Sequence, residues 1–444
     1  MKIGESGKHI LTLGAGTLVA QLIPVLASVV LARIYSADAY GDWGIFLSVV
    51  SLLAVAATGQ YELAIVRPES EKDAEMVMRL CFLIVLSFFF LSFGGVLLGE
   101  VFHLPLITQL PGKYLLPFFV LALGLLQIYT HYANRKERYK LIAISGVVRN
   151  ALQAISRISL GLFHCLYGLI TGAFVGLLAA VSYCEYKMPL RRILFSGYDW
   201  QSLKRVAYRY RYFPIYQMPG SLLNAASTSV MVLMLALYFE KEYIGYFSMT
   251  ISLLYFPVQL AGAAMSKVFY KKASLASSEN QSHQLLMQLL RFTFAAGLLM
   301  TILLVGIGEE LFSFVLGDRW LVSAQYAVIL APCIWIMLCF SPLSVIFDAK
   351  DCQRIELILN LVMFAVRVVA IVICGELHAS MGTAIFYFGV VGLLVWTAEA
   401  YWIMKLSGAR FTVKQLSIAL PLIFLLLAGW IWKIKEVVYV SIVR

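Results

Sequence analysis

The stretch GTLVAQLIPVLASVVLARIYSADAYGDWGIF, residues 16–46, decides the fold. No charge appears in it before Arg33, and apolar residues dominate from Ile10 onward. An α-helix rises ~1.5 Å per residue, so a bilayer core of ~30 Å takes ~20 apolar residues. The run 10–32 therefore reads as a membrane crossing. It ends in a short acidic turn, and a glycine–aromatic entry then opens a second apolar run at 43–66. The same design returns 204 residues later in GSLLNAASTSVMVLMLALYFEKEYIGYFSMT, residues 220–250. Gly16 aligns there with Gly220, Leu18 with Leu222, Leu31 and Ala32 with Leu235 and Ala236, and Gly41 with Gly245.

The rest of the chain follows this pattern. Of its 444 residues, 61% are hydrophobic and 13% charged, against ~45–50% and ~25% in a soluble domain. Water is not the main solvent of such a chain. The apolar runs are too continuous for membrane-barrel strands, which alternate over ~10 residues, so the expected fold is all-α and polytopic. Twelve segments of crossing length fall between residues 10 and 404, among them 141–162, 213–239, 285–307, 355–375 and 382–404. A shorter thirteenth covers 416–432. The basic start MKIGESGKHI has the look of a signal peptide. Its apolar continuation exceeds the ~7–15 residues of a leader core, so it reads as an uncleaved first helix.

Lys and Arg set the orientation. Counting from the N-terminus and then every second loop gives twenty-five, while the alternate loops hold three: Lys113, Lys241 and Arg319. The N-terminus and the basic loop 188–212 are thus expected in the cytoplasm, with the protein in the cytoplasmic (inner) membrane. The net charge of +11 is then a topology signal and a contact with anionic membrane lipids, and no nucleic-acid partner is expected. Seven cysteines show no CxxC spacing, and no His/Cys cluster has metal-ligand spacing, so neither a metal nor a cofactor is expected.

Loop 188–212 divides twelve helices into an N-terminal lobe, 1–187, and a C-terminal lobe, 213–405, followed by the tail 406–444. A second echo pairs ANRKERYKLI (133–142) with AKDCQRIELI (349–358), each between the fourth and fifth helix of its half. Six helices is an even number, so duplicated halves run in the same sense and face one another across a cleft. The turn LARIYSADAYGDWGIF, its counterpart YFEKEYIGYFSM and the ANRKERYK loop resemble those of the polysaccharide-biosynthesis flippases. These translocate O-antigen and capsule repeat units within the multidrug/oligosaccharidyl-lipid/polysaccharide exporter superfamily. The resemblance implies two six-helix lobes, alternating access and a lipid-linked oligosaccharide as cargo. Family members have twelve or fourteen helices, and the thirteenth segment fits neither number.

The fifth helix poses a question of its own. Within VVRNALQAISRISLGLF (147–163), Arg149, Gln153 and Arg157 stand four apart and share one face, with Asn150 at its flank. Val148, Leu152, Ile155 and Leu162 form the opposite, apolar face. A charge at the centre of a membrane helix costs ~2.5–3.5 kcal/mol, and such residues face a bundle interior or a wet cavity. The eleventh helix adds Arg367, with Asn360 near the same face, and Arg33 ends the first helix. Two readings follow. In one, these arginines pair with Glu62, Asp348 or Glu399 and lock helices together. In the other, they line a cationic chamber, because guanidinium forks bind phosphate oxygens bidentately and stay charged.

A polyprenyl-pyrophosphate-linked oligosaccharide, the O-antigen or exopolysaccharide repeat unit, is the cargo that chamber fits. A flippase carrying it from the inner to the outer leaflet is the leading expectation, with polysaccharide polymerase machinery as a further partner. The chain has no phosphate loop of the Gly-x-x-x-x-Gly-Lys-Ser/Thr type, so it is not expected to be an enzyme that hydrolyses nucleotide. Proton or sodium coupling through Glu62, Asp348 or Glu399 is the alternative energy source. Pro24, Pro219 and Gly220 interrupt the first and seventh helices and are the expected hinges. Two competing functions remain: a membrane polymerase or ligase using the same donor, and a drug/cation antiporter of the same superfamily. The first needs a sizeable outer loop, and the longest here are 100–113 and 308–321. The second needs acidic residues where this sequence places basic ones.

Overall fold

The computed structural model describes residues 5–195, 197–275, 279–350, 352–408 and 427–433. Side chains are described within these except at 5–18, 106, 263–264, 266–275, 279–285 and 348–349. The long helices are α1 (Glu5–Ile34), α2 (Ala37–Ala56), α3 (Glu71–Val101), α4 (Leu116–Arg135), α5 (Tyr139–Leu162) and α6 (Gly168–Lys187). They continue as α7 (Met218–Tyr238), α8 (Lys241–Leu275), α9 (Glu279–Leu316), α10 (Leu321–Phe340), α11 (Gln353–Glu376) and α12 (Met381–Leu406). No strand occurs among the described residues. Among the described residues, ten spans are long and apolar enough to cross a membrane. The two long helices outside that set are α1, whose described apolar part is Val19–Ile34, and α5, which carries the arginine stripe. This is a multi-pass membrane protein.

Local chemistry explains the helix boundaries. Ser36 accepts a hydrogen bond from the Ala39 amide and so caps α2, with Asp38 in the first turn, where the helix dipole favours a negative charge. That is the physical content of the YSAD turn. The apolar run expected to continue to residue 66 instead breaks after Ala56. Gly59 and Gln60 both have φ of 60°, which a right-handed helix cannot contain. A 3₁₀ turn, Tyr61–Val66, follows. Its side chains are apolar for a different reason: Tyr61, Ala64 and Ile65 pack with Val77, Met78 and Cys81 in the core of the first unit. Further on, α9 kinks at Ile307 (φ −134°, ψ 25°) and continues to Leu316, past the expected end of that segment.

The chain forms two compact units, Met1–Leu233 and Met234–Arg444, dividing inside α7. In the first, α5 lies between α1 and α6, and α4 packs on α2, α3 and α6. In the second, α10 packs on α8, α9 and α12, and α12 on α11. The pairings of α4 with α2, α3 and α6, and of α5 with α6, thus recur six helices later. At the end of α5, a Cβ on Gly161 would meet Ile34 and Tyr35 from the end of α1 and the turn after it. At the end of α11, a Cβ on Gly375 would meet the ring of Tyr238, which aligns with Ile34 at the 204-residue offset.

The basic stretch 188–212 is mostly exposed but is anchored by a few buried apolar residues. Leu190, Leu194, Val206 and Tyr210 belong to the core of the first unit. Its helix Trp200–Arg209 is capped by Asp199, which accepts from the Gln201 and Ser202 amides. Of the tail, residues 409–426 lie outside the described residues, so the expected thirteenth segment is described only at its end. Residues 427–433 are helical, and the Trp430 ring stacks on Phe386 in the second unit, centroids 6.1 Å apart.

Candidate functional site

Helix α5 is built inside out by the standards of a soluble protein. Leu152, Ile155 and Leu162 are exposed, while Arg157 is 9% exposed and Arg149 and Gln153 are half-buried. A helix in water hides its apolar face. Only an apolar solvent makes the reverse arrangement favourable. At ~1.5 Å per residue, Arg149 sits ~15 Å along the helix and Arg157 ~27 Å.

The polar face of α5 lies against a glycine seam on α6. A Cβ on Gly172 would meet Arg157 Cγ at 2.6 Å and its backbone nitrogen at 2.8 Å. A Cβ on Gly176 would meet Gln153 Cβ at 2.6 Å. Glycines four apart let the two helix backbones approach closely, as small residues do in membrane bundles. With the helices this close, the Arg157 side chain reaches the end of α6 and its Nε donates to the Leu169 carbonyl at 2.9 Å. The guanidinium then lies over Trp43 of α2, 4.2 Å from the ring centroid. Its Nη2 is buried without a hydrogen-bond partner, and so is Arg149 Nε.

The second unit repeats the arrangement on α11 and α12. Arg367 is 3% exposed and lies ~21 Å along α11. Its guanidinium sits 3.7 Å from the centroid of Phe388 on α12. A Cβ on Gly392, one turn further along α12, would strike Arg367 Nη2 and would stand 2.6 Å from Cys333 Sγ. Arg367 Nε is buried and unpartnered. Each unit thus holds a buried arginine on an aromatic face, backed by a glycine of the next helix.

No carboxylate neutralises these cations among the described residues. The ion pairs present join groups at helix ends and loops. Glu71 takes Arg135 at 3.3 Å and Lys136 at 2.8 Å, Glu75 takes Arg79 at 3.5 Å, and Asp73 takes Arg209 at 3.8 Å. Stacking a desolvated guanidinium on a ring contributes about 2 kcal/mol. Removing an ion from water costs several kcal/mol even after relaxation. Stacking alone therefore leaves each site short of negative charge.

The sequence from residue 30 to residue 325 matches a family described as polysaccharide biosynthesis protein. The chain belongs to the polysaccharide biosynthesis protein family. A search of curated proteins returned no match. Among solved structures, the lipid II flippase MurJ in an inward closed conformation is similar with a TM-score of 0.69 and 13% identity, covering 98% of this chain and 100% of that one. An inward-facing multidrug resistance MATE family transporter of the MOP superfamily is similar with a TM-score of 0.64 and 12% identity, covering 87% of this chain and 95% of that one. A MATE structure in the bent conformation follows at 0.55 and 13%, covering 91% and 96%. At these identities the likeness is one of fold, and this family member has the fold of polytopic helical transporters.

On that fold the residues singled out by sequence separate into groups. Arg149, Gln153 and Arg157 share the face of α5 that meets α6. Asn150 turns instead to α1, where its Nδ2 donates to the Ala20 carbonyl at 2.6 Å. Arg367 is deep in the second unit, with Asn360 half-buried seven residues earlier on α11. Arg33 is exposed at the end of α1. Glu62 is 3% exposed and accepts a hydrogen bond from the Thr58 hydroxyl, and Glu399 is 5% exposed on α12. The Asp348 side chain lies outside the described residues. Pro24, Pro219 and Gly220 are all exposed. Trp43, Phe388, Gly172, Gly176 and Gly392 were not singled out. The four-residue spacing of Gly172 and Gly176 was available as a close-packing signal, but nothing local marks Trp43 or Phe388.

Proposed function

We propose that this family member is a flippase for a polyprenyl-pyrophosphate-linked oligosaccharide, an O-antigen, capsule or exopolysaccharide repeat unit. It moves its cargo from the cytoplasmic to the outer leaflet of a bacterial inner membrane by alternating access. The supporting observation is that Arg149, Arg157 and Arg367 lie within long helices of this fold, Arg157 and Arg367 buried and Arg149 half-buried, each with one buried guanidinium nitrogen that no described residue satisfies. A pyrophosphate supplies what they lack: negative charge and acceptor oxygens matched to the guanidinium fork. Fixed cations replace the hydration that the phosphates shed on entering the low-dielectric core. In this reading Arg149, Gln153 and Arg157 are the anion contacts of the first unit, and Arg367 and Asn360 are those of the second. The N-terminus faces the cytoplasm in this reading, which the distribution of Lys and Arg supports.

Energy comes from a proton or sodium ion carried by Glu62 or Glu399, the two buried carboxylates of the described helical bundles without an ion-pair partner. Glu62→Gln and Glu399→Gln are expected to leave cargo binding intact while export loses its dependence on the ion gradient. Cells lacking the protein test the main assignment. They should accumulate lipid-linked repeat units on the inner leaflet. Single units displayed on the outer leaflet would mark a polymerase instead, and normal export with drug sensitivity would mark an antiporter.

A further inference from the structure

Two prolines interrupt membrane helices in the same chemical way. A proline inside a helix lacks the N–H that would bond the carbonyl four residues earlier. For Pro24 in α1 that carbonyl belongs to Ala20, and for Pro332 in α10 it belongs to Val328. Both residues are buried, at 7% and 0% exposure. Each orphaned carbonyl nevertheless has a donor from a distant element. Asn150 Nδ2 of α5 reaches Ala20 at 2.6 Å, and the Trp430 indole of residues 427–433 reaches Val328 at 2.9 Å.

We propose that Asn150 and Trp430 are positioning residues that supply the hydrogen missing at Pro24 and Pro332, so that each proline notch is held by a neighbouring element. In lipid an unpaired carbonyl finds no water, and leaving it unmade costs more than an ordinary surface bond returns. The first latch ties α1 to the helix that carries Arg149 and Gln153, because its donor is the residue next to Arg149. Displacement of α5 therefore pulls on the interrupted turn of α1. This assigns Asn150 to the scaffold and removes it from the set of cargo ligands. The second latch docks the tail. Trp430 bonds α10 while its ring stacks on Phe386 of α12, so residues 427–433 form part of the second unit. Neither latch depends on the identity of the cargo.

A double-mutant cycle in the full-length, detergent-purified protein tests the proposal. Pro24→Ala restores the amide and makes the Asn150 donor redundant. Asn150→Ala is expected to lower the melting temperature by about 2 °C with Pro24 present, and by less than half that loss in the Pro24→Ala background. A loss of half or more in the alanine background, or no loss with proline present, overturns the first latch. If Asn150→Ala does not accumulate, Asn150→Leu, which keeps the size and lacks any donor, goes through the same cycle. For the second latch, Trp430→Phe keeps the ring and removes the N–H. Amides of 427–433 should exchange faster in that variant with Pro332 present, and at the parental rate with Pro332→Ala. Equal acceleration in both backgrounds, or none, overturns it.

Discussion

The guanidinium of Arg157 lies 4.2 Å from the centroid of the Trp43 ring, and no carboxylate among the described residues pairs with it. An aromatic face orients a guanidinium without neutralising it, and this leaves the charge available to an anion. Arg157→Lys keeps the charge but loses the planar stack and the Nε donor to Leu169. Export is expected to fall about tenfold, in keeping with the loss of one charge-assisted hydrogen bond, with membrane levels unchanged. Trp43→Phe should retain most activity, whereas Trp43→Leu should lose it. Quantifying surface polysaccharide in cells expressing each variant at matched levels provides the check.

Gly392 offers a way to move Arg367 without altering any charge. A methyl group there occupies the space of Nη2 and crowds Cys333 Sγ. Gly392→Ala should therefore displace the guanidinium, reduce export by about tenfold, and lower stability by about 1–3 kcal/mol, the usual range for overpacking. Pairing it with Cys333→Ala relieves one of the two contacts. Stability is expected to recover in the double variant and export is not.

Much of this architecture was legible from sequence, because membrane-helix length and the 204-residue echo are properties of composition and spacing. The stripe of Arg149, Gln153 and Arg157 was legible for the same reason, since helical periodicity alone puts them on one face. The end of α2 was not: Tyr61, Ala64 and Ile65 are as apolar as a membrane segment, and only the left-handed Gly59 and Gln60 reveal the break. The stacking partners were also hidden. Trp43 and Phe388 come from other helices, and aromatic residues near helix ends are too common for one to stand out. The Asn150 contact was hidden too, because a polar residue beside an arginine stripe shows nothing of the Ala20 carbonyl it reaches on α1.

The linker helix should respond to acid through its cap. The Ser202 hydroxyl, together with the Gln201 and Ser202 amides, bonds the Asp199 carboxylate and holds it below the usual aspartate range. A depressed carboxylate contributes its stability above the unfolded value and loses it as pH falls through the folded value. Amide exchange in residues 200–209 of the protein should therefore be slow near neutrality and accelerate on acidification below about pH 4. In Asp199→Ala it should be fast throughout, with that acid-dependent step missing.

The carboxylates that already pair at helix ends should matter differently from the arginines. Glu71 holds Arg135 and Lys136, and Arg135 also donates to the Pro68 carbonyl at 2.6 Å. Glu71→Gln is expected to lower stability modestly, by about 1 kcal/mol for a partly exposed network, and to leave cargo specificity untouched. Thermal melting beside an export assay separates the two effects.

Binding of a short-chain polyprenyl pyrophosphate to the purified protein, followed by native mass spectrometry at matched ionic strength, probes the arginines most directly. The parent should retain the ligand, and Arg149→Ala and Arg367→Ala should each weaken it by about 10- to 100-fold, with the matching polyprenyl alcohol binding all of them alike. Equal retention of the pyrophosphate by parent and variants would contradict the assignment of these buried cations to an anionic cargo.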